Sequence, residues 1–518
     1  MRRLAFALAS LIALCVASAR AADPPLDPKT EEARAKLSLV LLDEAKVDER
    51  TKAVAELAAL EKPAAARAFV EQLDRLAART AQIDARAAKT RQDYERYKGS
   101  QSNDKDWAMK QRLLQQMEQD DAVLRNDGAV LDAFAASIAA WKDKEALGVI
   151  DRAATKNDLA VARRAIDVGL LKNPAANVKD VGKRAMSDAD PTVRLAALVV
   201  FQDRKDASFV DYALKSLGDA NWTFRQAAAR ALAALGDTRA VGPLVAQMAA
   251  EEGRMLEDFG EALEKLTGAK LGPNADAWKR WYDDHKAEFA GKAPPPPAAP
   301  VKPNKNPLLP PVDYYGIETR SLRLLFLIDC SGSMIEKIHM GGTNGDEPKI
   351  DIAKRMLKKA VMQLTPTTQF NVITFNTDAR QMNEKMILAT PENKAQMCGR
   401  IDELGARGGT YTYGALKLAF GLQDPNATPS APPVDSIFVL SDGAPTEATF
   451  EDATEAKPMD PAKILDSVRS WNPFHAVKIY SIAIDPRIGS ATVGAKFVRF
   501  MRDLAAQNGG TYTEIGSQ

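Results

Sequence analysis

Three separated stretches place oxygen-bearing side chains at the ends of apolar runs. Asp329 closes the run Leu324 to Ile328 and opens Asp329-Cys330-Ser331-Gly332-Ser333-Met334. Further on lie Gly408-Gly409-Thr410 and, after the run Ile437 to Leu440, Ser441-Asp442-Gly443. Carboxylate and hydroxyl oxygens are hard donors, suited to Mg²⁺ or another oxygen-seeking cation, with Ca²⁺ and Mn²⁺ as alternatives and no need for imidazole or thiolate. Zinc does not suit this donor set. The same residue types cap helix ends, so a purely structural use of Asp329 and the serines is the plainer reading. Capping alone would not call for Asp329, Ser331, Ser333, Thr410 and Asp442 together.

Other chemistry has less support. There is no Gly-x-x-x-x-Gly-Lys-Ser/Thr phosphate loop and no His-Glu-x-x-His. The histidines, His285, His339 and His475, are scattered without metal-ligand spacing, and Ser331 has no adjacent base to make it a nucleophile. A hydrolase acting on an anionic substrate at the same cluster needs a positioned base or a second cation near Asp329. A binding site needs only an open coordination position.

The elements that must carry these residues are legible. Leu324 to Ile328, Phe370 to Phe375, Ser436 to Leu440 and Lys478 to Ile484 are continuous apolar runs with helical stretches between them. Runs apolar on both faces, spaced by helices, imply a parallel sheet covered on each side, with ligands bound at the carboxyl ends of its strands. The Asp-x-Ser-x-Ser signature at Asp329, the Gly-Gly-Thr loop at Thr410 and the Asp-Gly after a strand at Asp442 resemble the von Willebrand factor A-type (VWFA) domain over residues 321–518. That resemblance implies a doubly wound, Rossmann-like α/β fold with a metal-ion-dependent adhesion site. Ser331, Ser333 and Thr410 would bind the ion directly or nearly so, and Asp329 and Asp442 directly or through water. One octahedral position is then left for water or for an Asp or Glu carboxylate of a protein partner. Few protein carboxylates touch such an ion, so it keeps positive character. Glu336 to Pro348 is a longer loop than the simplest members need; His339, Asp346 and Glu347 in it are candidate extra ligands, a solvated loop being the plainer reading.

From Lys29 to about Phe289 the chain is rich in Ala, Leu, Arg, Glu and Lys at helical spacing, which predicts an all-α domain over residues 29–290. Asp188 to Ala197 aligns with Asp219 to Ala228 at an offset of 31 residues, and Arg163 lies 31 before Arg194. Each unit carries a second apolar stripe, so the units are helix pairs that must stack to bury their faces. The pattern resembles HEAT repeats over about residues 150–250, with a divergent unit of the same kind at 30–62. Between about residues 64 and 141 the pattern runs long, broken near Gly99 to Asp104; it reads as a coiled-coil hairpin projecting from the array or as two extended solenoid helices. Trp278 and Trp281 fit a terminal cap, as core packing rather than a ligand cage.

The remaining features bound the setting. Arg2 and Arg3 precede the apolar run Leu4 to Ala17, with small residues at Ala19 and Ala21, so residues 1–22 read as a secretory signal peptide, too short for the roughly 20 apolar residues of a spanning helix. Export, periplasmic or secreted, follows. Cys330 and Cys398 then remain, either bridged or as small buried thiols. Residues 291–320 read as a Pro-rich linker, with four prolines at Pro294 to Pro297, favouring an extended spacer. The net charge of +1 lacks the basic excess of a nucleic-acid binder. The combination predicts a non-enzymatic exported scaffold that makes metal-dependent protein contacts and offers its helical half as a second surface. In a third reading the helical half does the binding and the α/β domain is structural.

Overall fold

The computed structural model describes residues 25–97, 104–289, 308–338, 346–421, 432–447, 457–486 and 491–516. The signal-like segment 1–22 and the proline run through residue 307 lie outside the described residues. Helices follow one another from α1 (Pro28–Val40) and α2 (Val47–Ala58) to the long pair α3 (Pro63–Tyr97) and α4 (Asp104–Ala140). Then come α5 (Lys144–Lys156), α6 (Ala160–Lys172), α7 (Val178–Met186), α8 (Pro191–Arg204), α9 (Val210–Ser216) and α10 (Trp222–Leu235). The series ends with α11 (Val241–Met248), α12 (Arg254–Thr267) and α13 (Ala275–Phe289). Among the described residues no helix is long and apolar enough to cross a membrane.

The repeat has a visible mechanism. Asp190 and Asn221 cap α8 and α10 by accepting the N–H of Thr192 at 2.7 Å and of Thr223 at 3.0 Å. Arg194 and Arg225, at matching positions in those helices, donate to the carbonyls of Asp188 at 2.6 Å and Asp219 at 2.9 Å. Each arginine thereby ties its helix to the turn before it. Arg163 reaches on to Asp188 at 2.7 and 2.9 Å, and Arg225 to Glu251 at 2.5 and 2.9 Å, linking one unit to the next. Buried alanines such as Ala197 and Ala228 allow close helix approach. Trp278 is fully buried and donates its indole N–H to Gly272 O at 2.8 Å, so it is core.

The long pair is built into the array at its base. Phe69 of α3 and Phe134 of α4 pack edge to face at 4.6 Å, within the same core as the repeats. Arg50 of α2 and Asp127 of α4 form an ion pair at 2.5 Å with neither side chain exposed. The far part of α4 meets the second domain, so the extended-helix reading describes the pair better than a free projection.

That second domain opens with an antiparallel hairpin, β1 (Val312–Tyr314) and β2 (Ile317–Thr319), followed by β3 (Arg323–Asp329). A short ladder, β4 (Lys337–Ile338) with β5 (Glu347–Pro348), leads into α14 (Lys349–Gln363). Next are β6 (Gln369–Phe375), β7 (Ala379–Gln381), β8 (Ile387–Leu388), α15 (Pro391–Asp402) and α16 (Thr412–Ala419). The chain finishes with β9 (Ser436–Ser441), α17 (Pro461–Trp471), β10 (Lys478–Ile484), α18 (Ala491–Gln507) and β11 (Tyr512–Ile515). The main sheet runs β11-β10-β9-β3-β6-β7, with β8 also on β6; β11, β10, β9, β3 and β6 are parallel. Alternate residues feed two cores: Phe326, Ile328 and Phe438 pack under α14, and Leu325, Leu327 and Val439 under α16 to α18. Because β3 sits between β6 and β9, its carboxyl end is the crevice where the strand order reverses.

Residues 312–319, expected as the end of the linker, instead belong to this domain. Val312, Tyr314 and Ile317 are buried, and the Tyr314 ring lies 5.2 Å from Phe326 and 5.3 Å from Phe438. Apolar and aromatic side chains resume directly after Pro311, where packing overrides the proline-rich composition.

The two halves also touch, which an extended spacer did not predict. Phe474 packs into the helical core. Lys478 reaches Asp258 at 3.2 Å and Glu261 at 3.1 Å, and Arg254 donates to Ala476 O at 2.7 Å. The Arg323 guanidinium lies 4.3 Å over the Trp222 ring. Gly253 has φ +60°, and a Cβ there would stand 2.7 Å from Leu322 Cγ and 2.9 Å from Arg320 O. From α4, Glu118 accepts the Tyr411 hydroxyl at 2.7 Å and Asp121 pairs with Lys417 at 2.6 Å.

Candidate metal centre

Asp329 is the last residue of β3 and is fully buried. Its Oδ1 accepts the Ser331 N–H at 2.8 Å and its Oδ2 accepts the Ser441 hydroxyl at 2.5 Å, so the carboxylate is oriented by the loop after β3 and by the end of β9. Ser331 and Ser333 hold their Oγ atoms 3.1 Å apart, and the Ser333 hydroxyl donates to Asp442 Oδ1 at 2.8 Å. Asp329, Ser331, Ser333 and Asp442 therefore form one connected cluster at the switch point.

Thr410 reaches the same end of the sheet through its loop. Gly332 N–H donates to Gly408 O at 2.9 Å, and Arg407 N–H to Cys330 O at 2.8 Å. On the other side, Thr410 N–H donates to Thr446 Oγ1 at 2.8 Å and Thr446 N–H returns to Thr410 O at 2.9 Å. Gly408 is required here: its φ is +75°, and a Cβ would lie 2.6 Å from Thr377 Cγ2. Thr410 itself is buried.

The electrostatics are unbalanced. Burial first, and then the charge of Asp442, hold the Asp329 carboxyl above the usual carboxylate range. Asp442 is also raised by burial, while the Lys349 ammonium and the Ser333 hydrogen bond pull the other way. Lys349, the first residue of α14, is itself fully buried and stands 3.0 Å from Asp442 Oδ2 and 3.1 Å from Glu336 Oε2. From sequence alone Ser441 was only a motif neighbour, Glu336 only a loop boundary, and Lys349 was not singled out. The available signal was a cation in the first turn of a helix, where the macrodipole disfavours it.

The other candidates fall elsewhere. Glu347 pairs with Arg355 at 2.6 Å, Asp346 is exposed, and His339 lies outside the described residues. Cys330 and Cys398 are both free; burial pushes the Cys330 thiol up to about 12, leaving it inert. Among the described residues no group of three or more His, Cys, Asp or Glu stands together as a metal site.

A parallel sheet with helices on both faces, an Asp-x-Ser-x-Ser loop at its switch point and a stacked helical array define a two-module class. The chain carries a von Willebrand factor type A domain, matched over residues 324–444, and HEAT repeats, matched over residues 178–264. It is 33% identical over 133 residues to inter alpha-trypsin inhibitor, heavy chain 4, of Mus musculus, covering 25% of this chain and 13% of that protein. It is 28% identical over 206 residues to inter-alpha-trypsin inhibitor heavy chain H4 of Homo sapiens, covering 39% of this chain and 19% of that protein. The chain thus spans under a fifth of each relative. Among solved structures, a von Willebrand factor type A protein from Catenulispora acidiphila aligns at 22% identity and TM-score 0.27, over 38% of this chain and 39% of that one. The type A domain and these relatives support a protein–protein interaction module.

Proposed function

We propose that this chain is an exported, non-enzymatic interaction protein whose type A domain binds Mg²⁺ through Asp329, Ser331, Ser333, Thr410 and Asp442 and takes an Asp or Glu carboxylate from a protein partner. The observation that carries this reading is the oxygen spacing of 3.1 Å between Ser331 and Ser333 and 2.8 Å between Ser333 and Asp442. Neighbouring oxygens of an octahedron with metal–oxygen bonds of about 2.0–2.1 Å are about 2.9 Å apart. The larger Ca²⁺ sphere wants wider edges, so Mg²⁺ or Mn²⁺ suits these donors better. Without an ion the same spacing serves as hydrogen bonds. Burial raises both carboxyls and the charge of Asp442 raises Asp329 further, which also supplies a reason for a cation to bind.

When bound, the ion would supply a Lewis-acidic corner for an anionic group. The chain's own part is to hold the donors: β3 and β9 deliver Asp329 and Asp442, and the Gly332–Gly408 hydrogen bond keeps the threonine loop against the serines. The hydrolase alternative gains nothing here. His285 stacks on Trp281 and the His475 carbonyl accepts from Arg230, both away from the cluster. The signal-like residues 1–22 support export, and the helical half supplies a second surface.

The reading is tested by capture of a Glu- or Asp-bearing protein from exported fractions, comparing wild type with Asp329→Ala, in Mg²⁺ and in chelator. Capture should need both Mg²⁺ and Asp329. Equal capture in all arms removes the metal from recognition and moves it to the helical half.

A further inference from the structure

A cation already sits beside the candidate metal centre. Lys349 is placed there by the loop between the serines and α14: the chain leaves after Glu336, returns through the β4–β5 ladder, and Lys349 N–H donates to Glu336 O at 3.0 Å. Its position is costly on two counts. The ammonium is fully buried, and it occupies the first turn of a 15-residue helix, where the macrodipole repels positive charge. Glu336 is half exposed and contacts Lys349 from outside, whereas Asp442 meets it from within. Asp442 is thus divided, with Oδ1 on the Ser333 hydroxyl and Oδ2 on the ammonium. The lysine stands behind the donor cluster rather than inside it.

We propose that Lys349 is a tethered counter-cation of the metal centre: it holds Asp442 oriented when no divalent ion is bound, and it limits divalent affinity so that a bound ion keeps a net positive charge for the partner's carboxylate. This rests on the metal-site reading above. With the half-exposed Glu336 screened by solvent, the buried groups Asp329, Asp442 and Lys349 sum to −1 when both carboxylates are ionised, and a divalent ion takes them to +1. Without the lysine the same ion would only neutralise two carboxylates, leaving nothing to attract an acidic ligand. The device trades metal affinity for ligand affinity.

The test uses the full chain, with Mg²⁺ alone titrated calorimetrically and thermal unfolding followed in chelator and in saturating Mg²⁺. Lys349→Gln keeps a hydrogen-bond donor toward Asp442 and Lys349→Met keeps only the bulk. Both should bind Mg²⁺ tighter than wild type by about tenfold or more. Both should lose thermal stability in chelator, where Asp442 has no counter-charge, and regain most of it in Mg²⁺. Binding of an acetate or glutamate-peptide probe to the Mg²⁺-loaded variants should weaken. Unchanged Mg²⁺ affinity, or an equal loss of stability with and without Mg²⁺, including failure to fold in both, makes Lys349 a structural pair and overturns the proposal. If wild type and Asp329→Ala both ignore Mg²⁺, the metal-site reading itself fails. If Mg²⁺ binds wild type and not Asp329→Ala while Lys349→Gln matches wild type, only the Lys349 assignment falls.

Discussion

The helical array and the type A domain treat buried charge in opposite ways. In the array several buried carboxylates have a guanidinium of their own: Asp127 with Arg50, Asp188 with Arg163, Asp167 with Arg184, Glu251 with Arg225. At the end of the central sheet one ammonium, Lys349, meets Asp442, and Asp329 has only hydroxyl and amide donors. Complete pairing is what a structure needs when nothing else will arrive. Incomplete pairing is what the proposed cation site requires.

That contrast can be broken at its strongest point first. Asp127→Ala leaves Arg50 buried without its partner, and should cost about 3–5 kcal/mol in denaturant unfolding, with no recovery in Mg²⁺. Asp329→Asn, which removes one of two like charges yet can still hydrogen bond Ser331 and Ser441, should be no less stable than wild type in chelator and more stable by about 1 kcal/mol. It should also lose any stabilisation by Mg²⁺. A loss of stability like that of Asp127→Ala would place Asp329 among the structural pairs.

The smallest expected effect lies between the two regions. Burial pushes the Glu257 carboxyl up to about 7, opposed by the Arg320 N–H at 2.6 Å and by Lys478. A raised carboxyl contributes stability that is fully present below its ordinary value and lost as pH rises through about 7. The free energy of opening at the seam, taken from hydrogen exchange corrected for the intrinsic rate, should therefore fall between about pH 4.5 and 7 and level off above. Glu257→Gln should flatten this dependence; an unchanged profile assigns it to another group.

Much of this was legible in the chain. The arginines at 163, 194 and 225 reported a repeat because each performs the same task in each unit. Asp329, Ser331 and Ser333 were legible because they follow a strand of apolar residues, and the resemblance extended the reading to Thr410 and Asp442. Lys349 was hidden by the excursion between it and the serines: only the pairing of β4 with β5 brings it back. The hairpin at Val312 was masked by the prolines before it. The seam was not readable at all, since Trp222 and Arg323 join surfaces whose complementarity has no local period.

Gly253 gives that seam a strict fit. Its left-handed backbone and the nearness of Leu322 and Arg320 mean that the register between array and sheet depends on a hydrogen atom where other residues carry carbon. A methyl group at this point would prise the halves apart, so each side of the seam limits what the other can become.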